Sequence, residues 1–284
     1  MKLPPFDYAC PGSVAEAVAL LASHRGEAKV IAGGQSLVPM LAFRLAAPTL
    51  LVDLGKLPDL REITVAHDGV RLGAMVRWRD IEDDVRLATA HPLLQAAVAH
   101  VAHYQVRNRG TVGGSLAHAD PAAEMPGIAV TCEAEIEVAG DSGPRIIRAE
   151  DFFLGPLTTA LAADEIIVAV RLPAWPARRR WGFQEFARRR GDFAMAGAAL
   201  FYDERAGMAA NAHVGVIGVG DRPQRLPAVE ALLDGRAVDA DTIAKAEQVA
   251  AASVEPQDDI HASAAYRCAL VGTMVERALQ RAAA

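Results

Sequence analysis

Two stretches decide how this chain reads: Ala32-Gly33-Gly34-Gln35-Ser36-Leu37 and Arg107-Asn108-Arg109-Gly110-Thr111-Val112-Gly113-Gly114-Ser115-Leu116. Each sets a glycine pair beside a hydroxyl residue. The first directly follows the apolar run Lys29-Val30-Ile31-Ala32, which reads as a short strand. Glycine has no Cβ, so its backbone can approach a ligand and take positive φ. Successive N–H groups in such turns form a concave cradle for an anion, typically a phosphate. Two cradles on opposite sides would hold a diphosphate without a lysine, which suits a chain with only four lysines. Either loop alone reads as a tight strand-to-helix turn. With two in one chain, turn and cradle stand as equal alternatives on composition alone. No G-x-G-x-x-G follows the first strand, and no G-x-x-x-x-G-K-[ST] occurs. Gly215-Val216-Ile217-Gly218-Val219-Gly220 has the wrong spacing and leads into Asp221-Arg222-Pro223 rather than a helix. A Rossmann site or a P-loop is therefore disfavoured.

Outward from the first loop, Ser13-Val14-Ala15-Glu16 reads as a capping box opening a helix to about His24, with Val14, Ala17, Val18 and Leu21 on one face. Residues 36–40 turn into a short helix, and 49–54 form a second strand. Around the second loop, the pattern predicts a strand over 70–74, a short charged helix over 78–84 and one helix over 87–103. Further strands follow over 133–139 and 165–172. Pro173, Pro176 and Arg178-Arg179-Arg180 then break the pattern, which places a domain boundary there. Beyond it come strands over 183–186, 193–202 and 212–219, then helices near 227–234, 239–253 and 263–281, the last with a fraying alanine-rich end. Strands followed by helices indicate an α+β domain, a sheet with helices on one face.

The chain has 284 residues, enough for two domains each with its own core. Its net charge of −6 and the lack of a long basic block argue against nucleic-acid binding. No stretch approaches the roughly 20 apolar residues of a transmembrane span, and the first residues lack the apolar core of a signal peptide. Cys10, Cys132 and Cys268 are far apart and odd in number, which fits a reducing, cytoplasmic compartment and no metal-type spacing.

The ordered motifs resemble the medium, FAD-binding subunit of the molybdenum hydroxylases, the class of carbon monoxide dehydrogenase and xanthine dehydrogenase, over nearly the whole chain. That family shows A-G-G-x-S (Ala32 to Ser36 here) and R-N-x-G-T-[IV]-G-G-[NS]-[LI]-A-x-[AG]-D-P (Arg107 through Pro121). It shows F-x-G-x-x-x-T-x-L-x-x-D-E-[IL], matched by Phe153, Gly155, Thr159, Leu161, Asp164, Glu165 and Ile166. It shows R-x-G-D-[FY]-A, matched by Arg189, Gly191, Asp192, Phe193 and Ala194. Gly220, Pro223 and Arg225 before a helix with Glu230, and Ser263-Ala264-Ala265-Tyr266-Arg267, complete the match.

The resemblance implies a two-part FAD-binding domain of the vanillyl-alcohol-oxidase-like (PCMH) type over 1–176, with subdomains of about 1–56 and 57–176. A smaller α+β C-terminal domain, an antiparallel sheet with helices, would cover 177–284. It implies that Ala32, Gly33, Gly34, Gln35, Ser36, Thr111, Gly113, Gly114 and Ser115 hold the FAD diphosphate and ribityl chain. Glu124, where Asp is common, would bond a cofactor hydroxyl; Leu161 would pack on the isoalloxazine, and Val101 would touch the flavin. His118 lies in the loop that shapes the pocket. A lysine often precedes R-x-G-D-[FY]-A and approaches the flavin, whereas this chain has Gln184-Glu185-Phe186. The implied function is electron transfer through FAD to an external acceptor. The molybdenum cofactor would sit on a large partner subunit and the iron–sulfur clusters on a small one, in a dimer of heterotrimers. A stand-alone FAD oxidoreductase and a cofactor-free interaction subunit are the alternatives.

No residue is assigned as catalytic. His118-Ala119-Asp120 is too compact for its acid and base to converge. His100 and His103, one turn apart on the expected helix, lack a third metal ligand. The two arginine triplets, 178–180 and 188–190, read as solvated faces able to dock carboxylates.

Overall fold

The computed structural model describes residues 2–284. Three units follow one another. The first holds β1 (Asp7–Ala9), α1 (Val14–Ser23), β2 (Ala28–Ile31), α2 (Leu37–Ala42) and β3 (Leu50–Asp53). Its three strands pair in parallel in the order β1-β3-β2. Ser13 caps α1, its Oγ accepting from Glu16 N at 3.1 Å. The reciprocal bond of a capping box is displaced by one residue, Glu16 Oε2 accepting from Gly12 N at 2.8 Å. Ala17, Val18 and Leu21 bury the inner face of α1 against Val52, Leu54 and Leu60.

The second unit starts with β4 (Ile63–Ala66) and β5 (Gly69–Gly73). Six short helices follow: α3 (Trp78–Asp83), α4 (Leu87–Ala90), α5 (Pro92–Val98), α6 (Tyr104–Arg107), α7 (Val112–His118) and α8 (Glu124–Thr131). Then come β6 (Glu135–Gly140), β7 (Gly143–Arg148), α9 (Ala149–Phe152), the small hairpin β8 (Phe153–Gly155) and β9 (Thr158–Thr159), and β10 (Ile166–Pro173). The main sheet is antiparallel in the order β4-β5-β10-β6-β7.

The single helix expected over 87–103 is corrected to two, α4 and α5, which stop at Val98. His91 leaves helical geometry (φ −159°, ψ 71°) and caps α5, its ring Nδ1 accepting from Leu94 N at 3.2 Å, with Pro92 at the first helical position. Proline there starts a helix and cannot continue one. Ala102 then takes φ +40° and ends the segment before α6. His100 and His103 therefore do not share a helix face, and the described residues contain no cluster of three or more metal-type side chains.

The third unit is an antiparallel sheet of β11 (Arg179–Phe186), β12 (Ala196–Arg205), β13 (Met208–Ile217) and β14 (Gln224–Arg225), with α10 (Pro227–Leu233), α11 (Ala240–Ala252) and α12 (Ala264–Ala283). Helix α12 lies so close to β11 that a Cβ on Gly182 would fall 2.0 Å from Ala278 O. Ala282 is buried, so the alanine-rich end is packed helix rather than a frayed one. The strand expected from 193 begins only at Ala196, and Phe193 is 70% exposed.

The other face of the sheet joins the second unit: Phe183, Ala199 and Phe201 belong to the same apolar cluster as Leu94, Val98, Ile128 and Phe152. Arg179 seals this junction and is not a solvated residue. It donates to both oxygens of Asp203, at 2.8 and 3.3 Å, and its guanidinium lies 4.1 Å from the Phe201 ring centroid and 5.1 Å from that of Trp175. No helix among the described residues is long and apolar enough to cross a membrane.

Candidate functional site

One cavity of about 1470 Å³ lies where the three units meet, far larger than a cleft for a drug-sized ligand. All thirteen residues singled out above line it: Ala32 to Ser36, Val101, Thr111, Gly113 to Ser115, His118, Glu124 and Leu161.

The two glycine loops play different parts. After β2 the chain turns at Gly34 (φ +72°), where a side chain would be strained and would crowd Val38. The N–H groups of Gly33, Gly34, Gln35, Ser36 and Leu37 donate to no acceptor among the described residues, and the Ser36 hydroxyl makes no capping bond. This loop is an open run of amides. The second loop corrects the expectation of a matching cradle. Val112 N donates to Val76 O (2.9 Å), Gly113 N to Ala74 O (2.8 Å), Gly114 N to Thr111 Oγ1 (3.1 Å) and Ser115 N to Thr111 O (3.0 Å). Its amides are spent on capping α7 and on pinning it to the 74–76 segment. What the loop offers the cavity is a wall without side chains and the Ser115 hydroxyl.

The remaining wall is built from short ties. Arg107 Nη1 donates to Val101 O and Ala102 O, both at 3.1 Å, which holds the turn carrying Val101. Leu161 N donates to Thr159 Oγ1 at 3.3 Å. His118 ends α7 and Ala119 turns left-handed (φ +52°). Asp120 then binds its own turn, Oδ1 accepting from Ala122 N at 2.8 Å, and makes no bond with His118. The pair is not an acid–base couple.

Glu124 opens α8. Burial pushes its carboxyl up to about 7, with the Asp120 charge adding to the effect. Behind it on β11, Glu185 Oε2 is buried with no hydrogen-bond partner. Burial and then the neighbouring Glu124 charge push Glu185 up to about 8.

Sequence reasoning missed the wall supplied by the third unit. Residues 191–195, 218–221 and 255–259 line the cavity, as does Arg267. The R-x-G-D-F-A and S-A-A-Y-R motifs marked two of these places without saying what they do.

Comparison with known proteins places the geometry. Residues 4–175 match the family model for the FAD binding domain in molybdopterin dehydrogenase, and 181–282 match the CO dehydrogenase flavoprotein C-terminal domain. The nicotine 6-hydroxylase medium subunit of Paenarthrobacter nicotinovorans is 40% identical over 284 residues, covering 100% of this chain and 99% of the relative. The carbon monoxide dehydrogenase medium chain of Hydrogenophaga pseudoflava is 36% identical over 279 residues, 98% of this chain and 97% of the relative. Among solved structures, carbon monoxide dehydrogenase from H. pseudoflava superposes with a TM-score of 0.96 at 38% identity, covering 99% of this chain and 98% of that one. Quinoline 2-oxidoreductase from Pseudomonas putida 86 gives 0.95 at 40% identity, covering 100% and 98%. Sequence and fold agree from end to end, and the chain belongs to the family of medium, FAD-binding subunits of the multi-subunit molybdenum hydroxylases.

Proposed function

We propose that residues 1–176 hold one FAD in this cavity, that residues 177–284 close it, and that the chain relays electrons from a partner's iron–sulfur clusters to an external acceptor. The observation that carries the reading is the open amide run from Gly33 to Leu37 in the wall of a three-sided cavity. A cradle of free N–H groups fits a diphosphate, whose charge they meet without a cation. The Ser36 and Ser115 hydroxyls would add donors, Glu124 would bond a cofactor hydroxyl, and Val101 and Leu161 would supply apolar contact to the rings. When bound, FAD supplies reversible uptake of electrons.

The chain's own residues bind, orient and exclude water; this reading assigns no general acid or base among the described residues. Substrate oxidation belongs to the large, molybdenum-bearing subunit and the clusters to the small one. The relatives' names run from carbon monoxide to nicotine and caffeine, so the substrate is set outside this chain. A dimer of heterotrimers in the cytoplasm is the assembly this reading expects.

The test is a deflavinated complex whose clusters are pre-reduced with stoichiometric dithionite. Electrons should reach NAD, a soluble quinone or oxygen only after FAD is restored. Equal reduction of the acceptor without FAD would contradict the reading.

A further inference from the structure

The cavity wall contributed by the third unit comes from stretches far apart in sequence, and one side chain ties them together. Arg267, in the first turns of α12, is 8% exposed and lines the cavity itself. Its Nη1 donates to Met195 O at 2.8 Å and to Gly218 O at 2.7 Å, and its Nη2 donates to Asp259 Oδ2 at 2.7 Å. All three partners lie in segments that face the cavity. The guanidinium is a rigid planar fork with a permanent charge, so one group sets three loops relative to one another.

The tie extends on both sides. Gly218 N donates to Pro121 O at 2.9 Å, reaching the segment between α7 and α8. Gly218 itself has φ +76°, and a Cβ there would fall 2.6 Å from Ala194 O. Asp259 is held in turn, its Oδ1 accepting from His261 N at 2.8 Å and Ala262 N at 2.9 Å. The helix does not need this arginine for its packing, because Val271, Met274, Val275, Ala278 and Leu279 bury its inner face.

We propose that Arg267 is a positioning residue for the flavin: by joining Met195, Gly218 and Asp259 it sets the cavity wall that the C-terminal domain contributes, and with it how tightly FAD is held. The inference rests on the assignment of this cavity to FAD. Without the guanidinium, the Met195 and Gly218 carbonyls lose their charge-assisted donor, and the 255–261 loop loses its tether.

The experiment uses the assembled complex carrying R267M, R267K or D259N. FAD release is followed by flavin fluorescence on dilution, together with the flavin absorption envelope and hydrogen exchange over 191–195, 218–221 and 255–261. R267M should release FAD about tenfold faster or more, the size expected for losing charge-assisted hydrogen bonds at a buried site. R267K keeps the charge but has a single nitrogen where arginine uses Nη1 for the two carbonyls and Nη2 for Asp259, so it should fall between R267M and wild type. D259N should quicken exchange over 255–261 and raise the release rate less than R267M does. A purely structural role would lower the melting temperature without moving the release rate or the flavin band, and that result overturns the proposal. Asp259 is well exposed, so D259N decides the matter if R267M does not fold: unchanged release and exchange contradict the tether. A wild-type complex with no FAD on this chain would overturn the assignment of the cavity, a result distinct from variants that match an FAD-loaded wild type.

Discussion

The backbone of Gly33 rests on the carbonyl of Arg109: a Cβ built on Gly33 would lie 2.1 Å from Arg109 O and 3.0 Å from the Gly110 Cα. The two glycine loops thus touch main chain to main chain. This contact accounts for Gly33; in the second loop Gly110 and Gly113 answer to other neighbours, since a Cβ would lie 2.8 Å from Trp78 Nε1 at Gly110 and 2.6 Å from Ala74 Cβ at Gly113.

Gly33→Ala should force the loops apart. The expected result is loss of FAD from the purified complex with a destabilisation of ~1–3 kcal/mol, the usual cost of a local backbone conflict. Gly113→Ala should act more on folding than on the cofactor, because its Cβ would meet Ala74 Cβ at 2.6 Å and Ala74 O at 2.9 Å. Flavin absorbance per chain and the melting temperature separate the two effects. Full FAD content and an unchanged melting temperature in Gly33→Ala would refute the close-contact argument.

His91 makes stability depend on pH on the acid side. Burial pushes its imidazole down to about 3, and its Nδ1 must stay unprotonated to cap α5. The unfolded chain takes up this proton below about 6.5, while the native chain does not. Stability should therefore fall as pH drops from 6.5 towards 3. His91→Asn keeps an N-cap acceptor and removes the titration. Urea midpoints at pH 7.5 and 5 should differ less in the variant than in the wild type; equal slopes would show that His91 is not the source.

Glu185 works in the opposite direction. Its raised value and that of Glu124 mean that the native chain keeps protons which the unfolded chain releases above about 4.5. This contribution is whole below that pH and is lost as pH rises through 7 to 8. Glu185→Gln should make the urea midpoint less sensitive between pH 6 and 9. A variant as sensitive as wild type over that range would place the carboxyls in water.

Much of this was legible in residues that obey local rules. Ser13, Thr111 and Ser263 each stand just ahead of a helix and cap it, by bonds of 3.1, 3.1 and 3.2 Å. The A-G-G-x-S and G-T-V-G-G-S runs located both loops because glycine and hydroxyl residues carry their geometry with them. The break at His91-Pro92 was hidden by helix-forming residues on either side. The spent amides of the second loop were hidden too, because their acceptors at Ala74 and Val76 lie on another segment. Least visible was the role of Arg267, whose carbonyl partners lie 72 and 49 residues away in sequence. A short motif marks such a residue but does not show which loops it holds.

The most direct test is a high-resolution structure of the assembled complex with FAD. The account predicts diphosphate oxygens within hydrogen-bond distance of the amides of residues 33–37. It also predicts the amides of Val112 and Gly113 still bonded to Val76 and Ala74. A diphosphate seated elsewhere, with the 33–37 amides facing bulk water, would contradict it.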